Sequence, residues 1–232
     1  MTQRQLPTIQ MFWHGAPLSR MERLAIVSFQ QNGHPVDLYT YDELSGVPPG
    51  VQLRDAEQIL PRSALFRHRR TQSLALFADW FRYRLLFERG GIWADVDVVC
   101  LKPFDYSNDE VYAWQDDRYI NNAVLGLPKG HALASWLDKC CENPNEMLPY
   151  DDLGIRLLKL RRRVLQGDRR EGTRWAENGP KGLTRAARHL GYADRALPSW
   201  HFYPVSPEQH NSLFASPKEG QQIVFNGSRA VH

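Results

Sequence analysis

The chain has 232 residues, with 29 Lys or Arg and 26 Asp or Glu, so its formal net charge is +3 with histidine neutral. With 42% hydrophobic and 24% charged residues, the composition is typical of a folded globular protein and excludes a disordered tail or a fibrous repeat. The small net charge argues against a dedicated nucleic-acid-binding protein, whose surface is usually strongly basic.

The cysteines and the hydropathy pattern bear on the cellular compartment. Cys100, Cys140 and Cys141 show neither the pattern of a disulfide framework nor the C-x-x-C spacing of a zinc site, which favours reduced thiols in the cytoplasm. Residues 1–7 are polar, and no apolar run approaches the roughly 18 residues that cross a bilayer. We therefore expect a cytoplasmic protein without a signal peptide or an integral membrane anchor, folded as a single domain over residues 1–232.

The first 41 residues predict a strand, a helix and a second strand. Residues 8–13 are apolar and predict the first strand, and a capping box at Ser19 begins a helix that ends at Asn32. Residues 36–41 alternate as the second strand, so the order predicts a parallel pair and an α/β fold. Residues 14–18 would then lie at the carboxyl end of the first strand, where open α/β sheets bind ligands.

The remaining elements follow from helical periodicity, strand alternation and glycine or proline breakers. The helix before the Gly90-Gly91 pair, for example, has Leu74, Phe77, Phe81 and Leu85 at helical spacing. In chain order we predict a connection over 46–61, a helix over 71–89, strands over 92–101, 111–114 and 120–127, helices over 130–141, 153–166 and 182–190, and β-like runs at 202–205 and 223–225.

Two pairs of charged residues stand in otherwise apolar segments. Asp79 and Arg82 are three residues apart on the predicted helix and share a face. Asp95 and Asp97 are two apart on the predicted strand 92–101, so their side chains share a face with Cα atoms roughly 6.6 Å apart. Such carboxylates suit a divalent cation that takes its other oxygen ligands from a diphosphate and water. The alternatives are a solvated D-x-D sequence and a helix-surface ion pair.

The chain resembles the sugar-binding D-x-D region of glycosyltransferase family 32, in its bacterial capsular-polysaccharide branch and, more distantly, the clostridial glucosylating toxins. The resemblance rests on Asp79-x-x-Arg82-Tyr83, on Gly90-Gly91-Ile92-Trp93-x-Asp95-x-Asp97 and on Lys102-Pro103-Phe104. Further matches are Phe12-Trp13-His14-Gly15, Ser28-Phe29, Asn32-Gly33-His34, Leu38-Tyr39-x-Tyr41-Asp42, Asn121-Asn122-Ala123 and Gly179-Pro180, so most of the chain is covered.

This resemblance implies a GT-A-like, Rossmannoid mixed sheet with flanking helices and a helical C-terminal addition. Residues 1–127 would form the nucleotide-sugar-binding core, and residues 128–232 a helical, acceptor-side part with a returning C-terminal segment. It implies Mn²⁺ or Mg²⁺ and a retaining transfer of a hexose or N-acetylhexosamine from a nucleotide sugar, with a UDP-sugar favoured, to a saccharide or lipid-linked oligosaccharide hydroxyl. A protein-modifying glycosyltransferase toxin or effector and a non-catalytic nucleotide-sugar-binding relic are the alternatives.

The resemblance also assigns roles to individual residues. The expected catalytic residues are Asp95, Asp97 and Arg82, the metal ligands are Asp95, Asp97 and His232, and the donor-binding residues are Trp13, His14, Asp79, Arg82, Trp93, Asp95 and Asn122. Trp13 would stack on the base, Asp79 and Arg82 would hold ribose and sugar hydroxyls, and Asn122 would lie beside the donor sugar. Relatives usually continue beyond the position of His232 with a Trp and an Asn. The alternatives are core packing for Trp13, a turn for Asn122 and a frayed terminus for His232.

The helix predicted over 153–166 is strongly basic. Its positive residues are Arg156, Lys159, Arg161, Arg162 and Arg163. They form either a solvated helix face or a patch that contacts anionic lipids at the inner membrane face. The acidic pairs Asp116-Asp117 and Asp151-Asp152 could meet acceptor hydroxyls or simply form turns.

Overall fold

The computed structural model of the protein describes residues 6–167, 169–174, 177–206, 209, 225 and 227–232. The strands are β1 (Ile9–Phe12), β2 (Val36–Thr40), β3 (Gln52–Asp55), β4 (Gly91–Ala94), β5 (Val99–Cys100), β6 (Val111–Trp114), β7 (Ile120–Leu127) and β8 (Ala230–Val231). The α-helices are α1 (Arg20–Gln31), α2 (Ala75–Arg89), α3 (Ala132–Glu142), α4 (Leu153–Gln166) and α5 (Pro180–Leu190). Short 3-10 segments cover Ala56–Gln58, Arg62–Ala64, Arg170–Gly172, Ala193–Arg195 and Ser199–His201.

The main sheet has six strands in the order β3-β2-β1-β4-β7-β6. Strands β1 to β4 are parallel to one another, whereas β7 runs antiparallel to both β4 and β6. A second, two-stranded antiparallel sheet joins β5 to β8. The predicted α/β class is therefore confirmed, and the switch from parallel to antiparallel pairing occurs beside β4.

Helices cover both faces of the main sheet. On one face, Ile26 and Phe29 of α1 pack against strand residues such as Met11 and Leu38. On the other face, α2, α3 and α5 pack against strand residues such as Phe12 and Trp93. Because side chains alternate along a strand, Met11 and Phe12 enter different layers, and burial on both faces accounts for the apolar character of β1 and β4.

The predicted strand–helix–strand unit is confirmed. Ser19 Oγ accepts a hydrogen bond from the Met21 N–H at 3.1 Å, and the Glu22 carboxylate accepts one from the Ser19 N–H. This capping box fixes the start of α1, and the helix ends at Asn32. The chain then enters β2 parallel to β1, which leaves the segment after β1 at the carboxyl end of the sheet.

Three predictions of secondary structure are wrong. The strand expected over 92–101 is two strands, β4 and β5, separated by a turn. The connection expected over 46–61 contains β3, an exposed edge strand without apolar alternation, which the sequence pattern could not reveal. Residues 202–205 follow a 3-10 segment and form no strand, whereas 223 and 224 of the run 223–225 lie outside the described residues.

The other predicted helices and strands are present, with ends shifted by a few residues. The helix expected over 71–89 begins at Ala75, since the Ser73 hydroxyl accepts from the Ala75 N–H and the preceding residues form a turn. Among the helices in the described ranges, none combines the length and the apolar character that a membrane span requires.

Candidate active site

An open cavity of about 340 Å³ lies where β1 and β4 end and α2 begins. Its lining includes the aromatic residues Phe12, Trp13 and Trp93 and the charged or titratable residues His14, Arg67, Arg82, Asp95 and Asp97. The carboxyl ends of parallel strands therefore supply most of the polar groups, as expected for a ligand site in a sheet of this type.

Arg82 connects three elements at the base of this cavity. Its Nη2 atom lies 2.9 Å from Asp95 Oδ1 and 3.4 Å from Asp79 Oδ1. Its Nη1 atom donates to the Asn122 carbonyl on β7, and the guanidinium lies 5.0 Å from the centroid of the Trp93 ring. Asp79 and Arg82 are both buried, so the alternative of a helix-surface ion pair is wrong.

Burial and charge act in opposite directions on this pair. Burial raises the pKa of Asp79 to about 6, against the effects of Arg82 and of a hydrogen bond from Asn122. Burial also raises the pKa of Asp95. For Arg82, burial disfavours the charge, but Asp95 and Asp79 outweigh it and raise the pKa, so the guanidinium stays charged. The base of the cavity thus holds a fixed positive charge between two carboxyls.

Asp95 and Asp97 lie in a turn, which corrects the expectation that they share one face of a strand. The Asp95 N–H donates to the Ala123 carbonyl at 2.8 Å, and the Val98 N–H donates to the Asp95 carbonyl at 3.1 Å and closes the turn. Trp93 Nε1 donates to Asp95 Oδ1 at 2.8 Å. Aspartate favours turns because its side chain bonds locally, and here the turn leaves Asp97 exposed and Asp95 partly buried.

His232 completes a cluster with the two aspartates. One ligand atom from each of Asp95, Asp97 and His232 lies within 4.8 Å of the others, and His232 Nε2 is 3.5 Å from Asp97 Oδ1. The pairing of β8 with β5, which aligns Val231 with Val99, carries the histidine to this place. The alternative of a frayed terminus is therefore wrong.

The cluster has the donor set of a divalent cation site. Two carboxylates and an imidazole suit Mn²⁺ or Mg²⁺, with substrate oxygens and water filling the other positions. Burial opposes ionisation of Asp97, but His232 outweighs it and lowers the pKa of this carboxyl. Burial acts to lower the pKa of His232, but the effect of Asp97 and Asp95 is larger, and the pKa is raised. The described residues fit a hard cation beside the cavity.

Trp13 and His14 line the opposite wall, directly after β1. Trp13 is partly buried, and its Nε1 atom donates to the Ala16 carbonyl at 2.7 Å, which holds the ring at the cavity surface. His14 Nδ1 lies 3.1 Å from Asp42 Oδ2, and its ring packs edge-on against Tyr41. Both side chains therefore line the cavity that the resemblance assigns to the donor.

Asn122 lies beneath the cavity, on β7, and is buried. Its Nδ2 atom donates to Asp79 Oδ1 at 2.8 Å and to the Tyr83 hydroxyl at 3.0 Å. The alternative of a turn asparagine is wrong. Trp93 is likewise buried under Arg82, so both residues hold Asp79, Arg82 and Asp95 in place from below.

Two residues that contact the site were missed from the sequence. Arg67 lines the cavity from the loop before α2, and its only signal is the Arg67-His68-Arg69-Arg70 run. Tyr203 packs edge-on against His232 at 5.9 Å between ring centroids, and its hydroxyl accepts from the Val124 N–H at 3.4 Å. It belongs to a segment whose pattern indicated a strand and no ligand contact.

The basic cluster of α4 is only partly a surface, which corrects the expectation for its five positive residues. Lys159 and Arg162 are buried, with Lys159 Nζ 2.7 Å from Asp151 Oδ2 and Arg162 Nη2 3.0 Å from Glu177 Oε2. Arg156, Arg161 and Arg163 are exposed.

The two acidic pairs have local structural roles. Asp151 is buried between Lys159 and Arg185, and Asp152 caps α4 by accepting from the Ile155 N–H at 2.8 Å. Asp116 accepts from the backbone N–H groups of Arg118 and Tyr119, each at 2.8 Å, and so forms a turn. For these three residues the acceptor-binding interpretation loses its basis, because their carboxylates already have partners within the fold.

Comparison with known proteins places these motifs in a family. Residues 30–116 match the family model described as a glycosyltransferase sugar-binding region containing a DXD motif. This interval contains Asp79, Arg82, Asp95 and Asp97, so the resemblance of this segment to a DXD-motif sugar-binding region is confirmed.

Two curated yeast proteins match shorter segments. A 65-residue segment, 27% of this chain, is 40% identical to the initiation-specific alpha-1,6-mannosyltransferase of Candida albicans. A 51-residue segment, 21% of this chain, is 43% identical to the protein of the same name from Saccharomyces cerevisiae. The matched segments span 16% and 9% of the length of those two proteins.

Solved structures show the fold. The PaToxG glycosyltransferase superposes with a TM-score of 0.53 and 16% identity, covering 79% of this chain and 68% of its own. The ligand-free glycosyltransferase domain of the YGT toxin superposes with a TM-score of 0.52 and 10% identity, covering 84% and 80%. At these identities the likeness concerns the fold alone, and the predicted GT-A-like architecture is confirmed.

Proposed function

Because residues 30–116 match the DXD-motif family of glycosyltransferase sugar-binding regions, we propose that the protein transfers a sugar from a nucleotide sugar to an acceptor hydroxyl. The observation that carries the proposal is the convergence of Asp95, Asp97 and His232 beside an open cavity with Arg82 at its base. Three ligand atoms and a fixed guanidinium together suit a diphosphate that bears a sugar.

The residues divide between the two ends of the donor. Trp13 offers its ring to the nucleoside base, since aromatic faces stack on bases without strong sequence preference. Arg82 binds oxygens at the breaking glycosidic bond. Asp79 is buried, is not among the described lining residues and pairs with Arg82, so its role is to orient the guanidinium. A Mn²⁺ or Mg²⁺ ion held by Asp95, Asp97 and His232 would supply the positive charge that stabilises the departing diphosphate.

We propose a retaining transfer of a hexose or N-acetylhexosamine, with UDP as the favoured nucleotide. Among the described residues that line the cavity, both carboxylates, Asp95 and Asp97, belong to the cation cluster. A retaining transfer of this type requires no separate enzyme carboxylate, and the described lining holds none besides these two. The anomeric configuration of the product, read by proton NMR, distinguishes retention from inversion.

The proposed acceptor is a saccharide or a lipid-linked oligosaccharide, reached in the cytoplasm with peripheral contact at the inner membrane face. The free thiols of Cys100, Cys140 and Cys141 support a reducing compartment. The exposed arginines of α4 support contact with an anionic surface.

The first experiment measures nucleotide release from a panel of UDP- and GDP-sugars by the purified chain, with and without Mn²⁺. The panel includes a mannose donor because both curated relatives are named as mannosyltransferases. The test variant is Asp95→Ala, Asp97→Ala, and the matched control is Asp109→Ala, Asp194→Ala, which removes two exposed carboxylates.

We expect Mn²⁺-dependent release from one donor, abolished in the test variant and kept in the control. Metal-dependent nucleotide binding without release, with glycan, lipid-linked and protein acceptors all supplied, would identify a nucleotide-sugar-binding relic. Transfer to protein alone would identify a protein-modifying enzyme. Absence of nucleotide binding would overturn the proposal.

A further inference from the structure

Helix α4 exposes five of its large apolar residues and buries two of its charged residues. Five large apolar side chains of this helix are exposed, with between 49% and 80% of their surface accessible to solvent: Leu153, Leu157, Leu160, Val164 and Leu165. The buried residues of the same helix are Lys159 and Arg162. A surface helix of a globular protein normally shows the reverse arrangement, so this face marks an interaction surface.

Buried ion pairs fix the rotation of the helix. Lys159 Nζ donates to Asp151 Oδ2 at 2.7 Å and to the Glu146 carbonyl at 2.8 Å. Arg162 binds both carboxylate oxygens of Glu177, at 3.1 and 3.0 Å. Turning the helix so that its leucines faced inward would break these pairs and leave uncompensated buried charges, so the ion pairs hold the leucines on the outside.

The exposed apolar residues form one stripe. Residues 153, 157, 160 and 164 follow the spacing of a single helix face, over a length of roughly 16 Å. At 3.6 residues per turn, Arg156 and Arg163 lie along one side of the stripe and Arg161 along the other. In the portion of the chain that the structure describes, no carboxylate forms an ion pair with any of these three arginines.

This arrangement matches an anionic lipid surface. Leucine and valine side chains enter the boundary between headgroups and acyl chains, and flanking arginines extend to the phosphates. A second copy of the chain fits less well, because a two-fold pairing of α4 with itself would place arginine against arginine. The charges therefore favour the membrane over a dimer.

The C-terminal end of α4 lies near the loop that lines the donor cavity. A second cavity, of about 610 Å³, lies between the end of α4 and the loop before α2, and its lining includes Arg67, Arg69 and Arg169 beside Glu171. Arg67 also lines the donor cavity. An anionic group at the lipid surface would therefore meet arginines on its way to the site.

We infer that α4 is a membrane-docking helix, which lies flat on an anionic bilayer with the stripe of residues 153, 157, 160 and 164 inserted and Arg156, Arg161 and Arg163 on the lipid phosphates. The inference deepens the proposed function. Membrane docking is argued from α4 itself, and only its link to a lipid-linked acceptor rests on the proposed function. It differs from binding through the basic cluster as a whole, since Lys159 and Arg162 are committed to the interior.

The test is flotation with vesicles of phosphatidylcholine, alone or mixed with phosphatidylglycerol, without donor or metal. The stripe variant is Leu157→Ser, Leu160→Ser, Val164→Ser. The matched control is Met21→Ser, Leu24→Ser, which alters exposed apolar residues of α1. A third variant, Arg156→Gln, Arg161→Gln, Arg163→Gln, removes the charges. Circular dichroism and the melting temperature establish that each variant is folded.

We expect the unaltered chain to bind the anionic vesicles and to bind them less at higher salt. The stripe and charge variants should bind at least about tenfold more weakly, and the control variant should bind as the unaltered chain does. Equal binding by the stripe variant, or no vesicle binding by the unaltered chain, overturns the inference. The inference is also overturned if the chain does not bind vesicles and instead forms a dimer that the stripe substitutions dissociate. Vesicle binding without nucleotide release would support the docking helix and would count only against the proposed transferase activity.

Discussion

Arg82 on α2 and Asp95 in the turn after β4 lie 2.9 Å apart and join the helix to the DXD segment. The same guanidinium also contacts Asp79 and the Asn122 carbonyl, so one buried cation organises groups from α2, from the turn after β4 and from β7. Its fork of donors in fixed geometry is what allows several oxygens to be held at once.

Replacing Arg82 by lysine keeps the charge but removes this fork. We expect Arg82→Lys to lower the rate of nucleotide release by about 100-fold, a typical loss when one preorganised donor is removed from a reacting anion. The matched control is Arg84→Lys on the same helix, where Arg84 pairs with Asp138. Steady-state kinetics of both variants check this, and equal losses in the two would contradict a specific role for Arg82.

The cation cluster makes a prediction that needs no substrate. We expect Asp97→Asn to weaken Mn²⁺ binding by at least about tenfold, because an amide oxygen is a poorer ligand than a carboxylate for a hard cation. Titration calorimetry on the purified chain measures the dissociation constant. The control, Asp117→Asn, alters an exposed carboxylate outside the cluster and leaves binding unchanged. Unaltered Mn²⁺ affinity in Asp97→Asn would show that the ion binds elsewhere.

Asp79 predicts a pH dependence of stability. Its pKa rises from an ordinary value of 3.8 to about 6 on folding because the carboxyl is buried. The folded state therefore binds the extra proton between these values, and the contribution of Asp79 to the free energy of unfolding falls as the pH rises through this window. The difference between the two pKa values corresponds to about 3 kcal/mol.

Asp79→Asn removes this titration. We expect the wild-type chain to lose up to about 3 kcal/mol relative to Asp79→Asn between pH 4 and pH 7. Urea unfolding of both proteins across this range measures the difference. Parallel stability profiles for the two proteins would mean that Asp79 titrates normally in the folded state.

Gly90, between α2 and β4, supplies a test of the fold. Gly90 has φ of +70°, and a Cβ atom there would lie 2.4 Å from the Lys129 backbone nitrogen. Gly130 has φ of +76°, and a Cβ atom there would meet only open space. We expect Gly90→Ala to cost at least about 2 kcal/mol more than Gly130→Ala, since both incur the strain of a positive φ but only the first meets backbone atoms. Urea unfolding of the two variants provides the comparison.

Much of the fold could be predicted because local signals agreed with one another. The capping box at Ser19, the Gly90-Gly91 pair and the leucine and phenylalanine spacing of α2 each depend on residues close in sequence. Edge strand β3 and the break between β4 and β5 could not be predicted. β3 is exposed and lacks alternation, and the break depends on the Asp95 N–H reaching Ala123 and on β5 finding its partner in β8.

The candidate site shows the same division. Asp79, Arg82, Asp95 and Asp97 stand out as a group in the sequence through their spacing and their apolar surroundings. The positioning of Asp79 by Asn122, the packing of Tyr203 on His232 and the contribution of Arg67 were not visible, because each joins residues far apart in the chain. The basic pattern of α4 also predicted a charged surface at Lys159 and Arg162. Both are buried instead, because Asp151 and Glu177 pair with them.

Periodicity, capping and short motifs are local signals, and they were enough to predict the α/β class, the order of most elements and the charged residues of the proposed chemistry. The turn that holds Asp95 and Asp97 beside His232 and the outward leucines of α4 became visible in the folded chain alone. Both features depend on strand pairing and on ion pairs between distant residues, whose energies no local pattern records.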